Sequence, residues 1–279
     1  MGPYPGDRRA LSALYDTGYA KLNLALHVRG RLADGRHRIE TLFAFCEEGD
    51  QLAVEPAADL SLTISGRFAG GLTSNEDNLA LKAARALQQA AGVSEGAAIH
   101  LTKSLPIASG IGGGSADAAG ALRLLTRLWN LDPATAGKIA PRLGADVPAC
   151  LLSWPCRGDG AGDEIEPADL PELEGKPVLL VNPGIPLATA DVFAAWDGVD
   201  GGPLTDWRRG RNDLGPAAAS LVPEIDSVLR WLRARPGAEF VRLSGSGASC
   251  FALFADSTMR DAAAAAVPSQ WWHLATRLR

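Results

Sequence analysis

The sequence predicts an α+β protein of two domains, and three observations carry that reading. Strand-like alternation and Ala/Leu-rich helical segments interleave without a βα repeat of fixed length, which disfavours a doubly wound sheet. The chain has 279 residues, near the size of two ordinary domains. Between Arg157 and Gly175 its texture changes: Gly158, Gly160, Gly162, Pro167 and Pro171 mix with acidic residues from Asp159 to Glu172. Segments of that composition mark domain joints. The expected division is a loose N-terminal extension over 1–17, a first domain over 18–165 and a second over 166–279.

Each element has its own signal. From Gly18 to Val28, Leu22, Leu24, Leu26 and Val28 alternate with Lys21, Asn23, Ala25 and His27. Period two predicts a half-buried strand with Lys21 and Asn23 on its polar face. Ala33-Asp-Gly35 reads as a turn, and Ile39–Cys46 as the returning strand. Gln51–Val54 and Leu60–Ser65 read as two further short strands. Asp77-Asn78 can cap a helix over Leu79–Ala91, and Gly92 stops it. Ala97–Lys103 is a strand, Pro106–Gly114 a glycine loop, and Ser115–Trp129 a helix opening at Ser115. Asp132-Pro133 is a cap followed by proline at the first helical position. Gly144–Pro148 is a tight connection into the apolar run Ala149–Trp154. Beyond the joint, strands are expected over Pro177–Asn182, Phe240–Ser244, Cys250–Ala255 and Trp271–Leu278. Helices are expected over Ala190–Trp196, Glu224–Arg233 and Met259–Ala266.

Composition excludes several classes. The chain is 47% hydrophobic and 21% charged, which is ordinary globular usage. With 27 Lys and Arg against 32 Asp and Glu, the net charge is −5, so nothing in the overall charge invites nucleic acid. No run of 18 apolar residues predicts a membrane span, and the first residues hold no apolar signal-peptide centre. Cys46, Cys150, Cys156 and Cys250 form no CxxC pair and have no matching His pair for zinc. They read as core residues of a reduced, cytoplasmic protein. His27, His100 and His273 carry no chemical signal.

Chemistry concentrates in three places. Gly110-Ile-Gly-Gly-Gly-Ser115 lies between a strand and a helix, where glycine lets backbone amides approach a ligand. The helix after it offers unpaired N–H groups and partial positive charge, a cradle for phosphate. No Lys-Ser/Thr follows the glycines, so this is not a Walker A loop. Ser115 stands where the dinucleotide fingerprint needs glycine. Lys21 is the only cation on the polar face of the first strand. Asp146 sits on a turn braced by Gly144 and Pro148, a placement suited to a catalytic base.

These residues resemble a known family. Pro106-Ile-Ala-Ser-Gly-Ile-Gly-Gly-Gly-Ser-Ala116 is similar to the second motif of the GHMP kinases, which include galactokinase, homoserine kinase and mevalonate kinase. Ala20-Lys-Leu-Asn-Leu24 resembles their first motif and Leu243-Ser-Gly-Ser-Gly-Ala-Ser-Cys-Phe251 their third. Ala33-Asp-Gly-Arg-His37, Gly144–Pro148 and Asn212-Asp-Leu214 resemble the subgroup acting on a cytidine-diphosphate-linked methylerythritol in the non-mevalonate route to isoprenoids. The resemblance implies a first domain like domain 2 of ribosomal protein S5 and a ferredoxin-like second domain. It implies transfer of the ATP γ-phosphoryl group to the 2-hydroxyl of the methylerythritol unit.

The same resemblance implies the site. Lys21 and Asp146 would be catalytic, Asp146 as base or as orienting group. The loop Pro106, Ile107, Ala108, Ser109, Gly110, Ile111, Gly112, Gly113, Gly114, Ser115 and Ala116 would bind ATP, with Ser115 a candidate ligand of the accompanying Mg²⁺. Asn23, His37 and Phe193 would meet the substrate, His37 and Phe193 at cytosine. Two departures stand out. Arg36 replaces the family's usual tyrosine, and its guanidinium is expected to stack on the base in its place. The family's Gly-Gly-Gly-Ser-Ser-Asn becomes Gly112-Gly-Gly-Ser-Ala-Asp117. Another kinase of the family, a non-catalytic nucleotide-binding module and a dinucleotide oxidoreductase stay open as alternatives on the sequence alone.

Overall fold

The computed structural model describes residues 13–279. Residues 1–12 of the expected extension lie outside the described residues. The remainder of that extension is not loose, because the first strand already begins at Leu14.

The first domain is a mixed sheet with helices against it. Strands β1 (Leu14–Arg31) and β2 (His37–Ala57) form a long antiparallel hairpin. β2 is one strand of 21 residues where the sequence suggested two, because β1 pairs along nearly its whole length and overrides the polar Glu47–Asp50 interruption. After β3 (Ser61–Ser65) come α1 (Leu79–Ala91) and β4 (Gly96–Thr102). Next are α2 (Gly113–Leu128), α3 (Pro133–Leu143), α4 (Val147–Leu152), β5 (Cys156–Asp159) and β6 (Glu164–Pro167). The sheet order is β3-β4-β2-β5-β6, with β1 paired to β2. The pairing of β6 with β5 runs across the expected boundary at residue 165, as far as Pro167.

Local signals explain the helices. The Asn78 side chain accepts from the Ala80 amide at 3.0 Å, and Gly92 closes α1 in the left-handed conformation. The Asp132 carboxylate accepts from the Ala134 amide at 2.9 Å ahead of α3. α1 and α2 bury alanine-rich faces with Leu87, Leu122 and Leu125 against the sheet.

The second domain has an antiparallel sheet of order β10-β7-β9-β8. Its elements are β7 (Pro177–Asn182), α5 (Thr189–Ala194), α6 (Gly215–Leu221), α7 (Glu224–Arg233), β8 (Ala238–Leu243), β9 (Cys250–Phe254), α8 (Ser257–Ala265) and β10 (Trp272–Arg277). α6 was not expected; its Gly-Pro-Ala start carries little propensity, and Ala217 and Ala218 hold it by packing. A third apolar cluster joins the domains: Leu22 and Leu24 of β1 share it with Val178, Leu180, Phe251 and Leu253. β1 is therefore buried on both faces. Its expected solvated side is closed as well, with Lys21 3%, Asn23 2% and His27 2% exposed.

His27 shows what that closure requires. Its Nδ1 lies 3.0 Å from the Gly202 carbonyl, and its Nε2 accepts from the Arg211 amide at 3.1 Å. Only the neutral ring with its proton on Nδ1 makes both bonds. Burial holds its pKa below the ordinary value, against the opposing pull of the Gly202 carbonyl. The unfolded chain therefore binds this proton more readily, and stability falls as the pH drops below about 6.5. We expect the urea midpoint to decrease between about pH 7.5 and 5, with a visibly smaller decrease in His27→Gln. Equal decreases in the two proteins would acquit His27, since His37 is shifted in the same direction.

Candidate active site

The joint between the domains opens into a cleft of about 580 Å³. Among the segments that line it are β1, the loop between β4 and α2, the turn before α4, the start of α5, and the Ser244–Ser249 loop between β8 and β9.

Lys21 is the electrostatic centre. Its Nζ lies 3.0 Å from Asp146 Oδ2, donates to Asn23 Oδ1 at 2.8 Å, and sits 5.3 Å from the centre of the Phe43 ring. The Asn23 amide group donates in turn to Thr41 Oγ1 at 2.8 Å, and Thr41 Oγ1 donates to the Ala25 carbonyl at 2.6 Å. This chain fixes which way Asn23 points. Asn23 thus orients the lysine, and it also lines the cleft, where its expected contact with substrate would be made. Asp146 flanks the start of α4, but its side chain makes no cap bond. Its carboxylate is 35% exposed and faces the cleft. The pair thus joins a buried cation to an anion that a ligand can reach.

The glycine loop is held from below and from the side. The Lys21 amide donates to the Ile111 carbonyl at 2.9 Å, and the Ser249 amide to the Ser109 carbonyl at 3.0 Å. Ser244 Oγ accepts from the Asn23 amide at 3.2 Å and donates to the Gly110 carbonyl at 3.0 Å. One buried hydroxyl therefore ties the first motif, the second and the third. Gly110 has φ +76°, and a Cβ there would fall 2.5 Å from the Ser244 and Gly247 carbonyl oxygens. Gly112 has φ +70°, with Lys21 side-chain carbons 3.1 Å from a Cβ. α2 begins at Gly113, not at Ser115, because Gly112 in the left-handed region takes the cap position and Gly113 and Gly114 are already helical. The amides of Gly113, Gly114 and Ser115 consequently open onto the cleft without helical acceptors.

A second buried ion cluster lies beneath this helix start. Lys103 Nζ donates to Asp50 and, at 2.6 Å, to Asp117 Oδ2, while Asp50 Oδ1 accepts from the Ser104 and Leu105 amides at 2.6 and 2.9 Å. Burial would lower the Lys103 pKa, but the two carboxylates raise it; burial and the Asp50 charge raise that of Asp117. Lys103 stays charged and anchors the descent from β4 into the loop. No spacing in the sequence connects Asp50, Lys103 and Asp117, so sequence reasoning missed them.

The His37 and Phe193 rings stack with centres 4.6 Å apart, and Trp196 meets His37 edge-on at 5.6 Å; of the three only Phe193 lines the cleft, so His37, contrary to expectation, does not reach it. His37 Nε2 is buried without a hydrogen-bond partner among the described residues. Burial, with the Arg31 charge, holds its pKa down, so the ring is neutral. Arg36 does not follow its expectation. Its guanidinium is bound by Asp34 at 2.8 Å and Asp163 at 2.9 Å, half exposed and away from the cleft lining. Two charge-assisted bonds outweigh an exposed stacking contact.

Comparisons with known proteins identify the family. The family model described as GHMP kinases N terminal domain matches residues 78–153, and GHMP kinases C terminal matches 204–273. The 4-diphosphocytidyl-2-C-methyl-D-erythritol kinase of Novosphingobium aromaticivorans is 51% identical over 99% of this chain and 96% of its own. The corresponding kinase of Rhizorhabdus wittichii is 50% identical over 95% and 94%. A crystal structure of 4-(cytidine 5'-diphospho)-2C-methyl-D-erythritol kinase superposes with a TM-score of 0.81 at 33% identity, covering 95% of this chain and 99% of that one. Homoserine kinase from Cytophaga hutchinsonii, at 16% identity and a TM-score of 0.68, shares the fold over 99% and 98% of the two chains. With both family domains in order on one continuous fold, and half of all positions shared along the whole chain, this protein belongs to the 4-diphosphocytidyl-2-C-methyl-D-erythritol kinase family of the GHMP kinases.

Proposed function

We propose that the chain transfers the γ-phosphoryl group of ATP to the 2-hydroxyl of 4-diphosphocytidyl-2-C-methyl-D-erythritol, and that Lys21 and Asp146 carry the step. The supporting observation is their 3.0 Å pair, set in one cleft with the free amides of the glycine loop. Phosphoryl transfer asks mainly for positioning and for neutralisation of charge on the equatorial oxygens. The Gly113–Ser115 amides hold phosphate oxygens at the positive end of α2. Asp146 takes the hydroxyl proton as it leaves, and Lys21 orients Asp146 while facing the charge that develops on the transferred group. Phe193, the member of the stacked pair that lines the cleft, offers a flat apolar face that suits cytosine, and His37 stacks on that ring. Arg36 fixes the turn that carries His37 and takes no part in stacking.

Magnesium fits as a companion of the nucleotide, not as a resident ion. Among the described residues no group of three or more His, Cys, Asp or Glu side chains could hold a metal. The Ser115 hydroxyl at the helix start is the ligand the chain offers, consistent with the habit of Mg²⁺ to keep phosphate oxygens and water. Held there, the ion would offset the negative charge of the phosphate oxygens. Among the described residues no helix is long and apolar enough to cross a membrane, and all four cysteines are buried and unpaired. Those thiols suit the reducing cytoplasm.

The reading is tested by ADP release with the cytidine-linked substrate, homoserine and mevalonate in turn, each with and without Mg²⁺. Turnover confined to the first is expected; turnover with homoserine or mevalonate instead would reassign the chain within its superfamily. In the same assay Asp146→Asn should lose about 10²-fold or more, the usual worth of a general base, with nucleotide affinity kept. Lys21→Met should lose a comparable factor, about 10²–10³-fold for one electrostatic donor. Because Lys21 is buried and its loss strands the Asn23 oxygen, that variant should also lose about 1–3 kcal/mol of stability in a urea titration. Full activity per folded molecule in either variant would remove that residue from the chemistry. Arg36→Ala should leave the substrate Kd within about twofold, as expected for an exposed ion pair; a tenfold weakening would return the arginine to the base site.

A further inference from the structure

A second cavity, of about 510 Å³, opens at the other ends of α2 and α4, and it shares no lining residue with the active cleft. Its size falls in the range of small-molecule pockets, about 300–1,000 Å³. Three guanidinium groups, those of Arg123, Arg127 and Arg279, line it beside the carboxylate of Asp16. Arg123 is committed: it donates to Asp16 at 2.8 Å, to the Thr17 and Cys150 carbonyls at 2.8 Å, and to Ser153 Oγ at 3.1 Å. That bond neutralises Asp16.

Arg127 and Arg279 are left with charge to spare. Among the described residues Arg127 donates to the Tyr15 carbonyl at 3.0 Å and otherwise lies only 3.9 Å from Asp16. Arg279 donates to the Ser153 carbonyl at 3.1 Å, with its guanidinium 3.6 Å from the centre of the Tyr19 ring. Guanidinium forks match phosphate oxygens in geometry as well as charge. The opposite wall is apolar, built by Pro133, Leu151 and Leu152. Thr126 also lines the pocket, at 7% exposure, with a buried hydroxyl that has no hydrogen-bond partner among the described residues. A helical threonine ordinarily bonds back to a carbonyl of the preceding turn, and a buried polar atom without a partner is uncommon.

We propose that this cavity is a second ligand site, for a small organic phosphate that carries a compact apolar group. The two uncommitted arginines take the phosphate, the Pro133–Leu151–Leu152 wall takes the apolar part, and Thr126 supplies the remaining polar contact. The wall formed by Leu151 and Leu152 is the end of α4, the six-residue helix that Asp146 precedes, so the site adjoins the catalytic turn without overlapping it.

Phenyl phosphate is a suitable probe. Titrated calorimetrically into the full-length protein in excess ADP, it should bind saturably at one site per chain, and more tightly than inorganic phosphate. Arg127→Glu should weaken it by about tenfold or more, the scale of one charge-assisted contact. Arg127 is about half exposed, so this change should leave the melting temperature in place. Thr126→Val, which keeps the shape and removes the hydroxyl, should weaken binding as well. The proposal is overturned by any of three results: no saturation up to about 10 mM, displacement of phenyl phosphate by ADP, or an affinity that neither variant changes.

Discussion

Lys21 is a cation with almost no water around it, and the rest of the site is organised by that fact. A buried ammonium without partners would shed its proton or pull the strand open. Here it is met by the Asp146 carboxylate, the Asn23 oxygen and the face of Phe43. Those partners come from the turn before α4, from β1 itself and from β2. The hairpin with β2 and the apolar seam with the second sheet hold β1 in place. An ion pair that looks local is therefore a product of both domains.

The glycine loop obeys the same logic. Its own residues contribute little packing, so its shape is imposed by neighbours: Lys21 beneath it, Lys103 with its two carboxylates at its entry, and Ser244 beside it. Asn212 extends the connection by donating to the Leu243 and Gly245 carbonyls, and Asp213 accepts from the Val28 amide. The loop is thereby preorganised by the protein, as a site made mainly of backbone amides must be if it is not to spend binding energy on ordering itself.

Much of this was legible in the residues alone. Asn78, Gly92, Asp132 and Pro133 announce their helix ends because capping is a short-range matter of one side chain and one amide. Period two put Lys21 and Asn23 on one face, and the three motifs placed the cleft. What was not legible is long-range. Alternation tells which side chains share a face but not whether that face meets water, and the second domain and helices closed both. The register of β1 against β2 is what joins two expected strands into one. The start of α2 moved because Gly112 adopts the cap conformation that a serine was expected to provide. Arg36 was read by its type, whereas Asp163, distant in sequence, decides where its guanidinium lies. Asp50, Lys103 and Asp117 come from three separate elements and carry no common pattern.

The close approach at Gly110 bears on modularity. The only space for this residue lies between carbonyls of the second domain, and the hydroxyl that pins its own carbonyl also belongs to that domain. The half that carries the glycine loop is consequently not a cassette that could be moved to another chain by recombination and keep its loop geometry. Sequence drift in the loop and in the Ser244–Ser249 turn has to be compensated across the joint, so the two halves are constrained to change as one heritable unit, whatever freedom their outer helices retain.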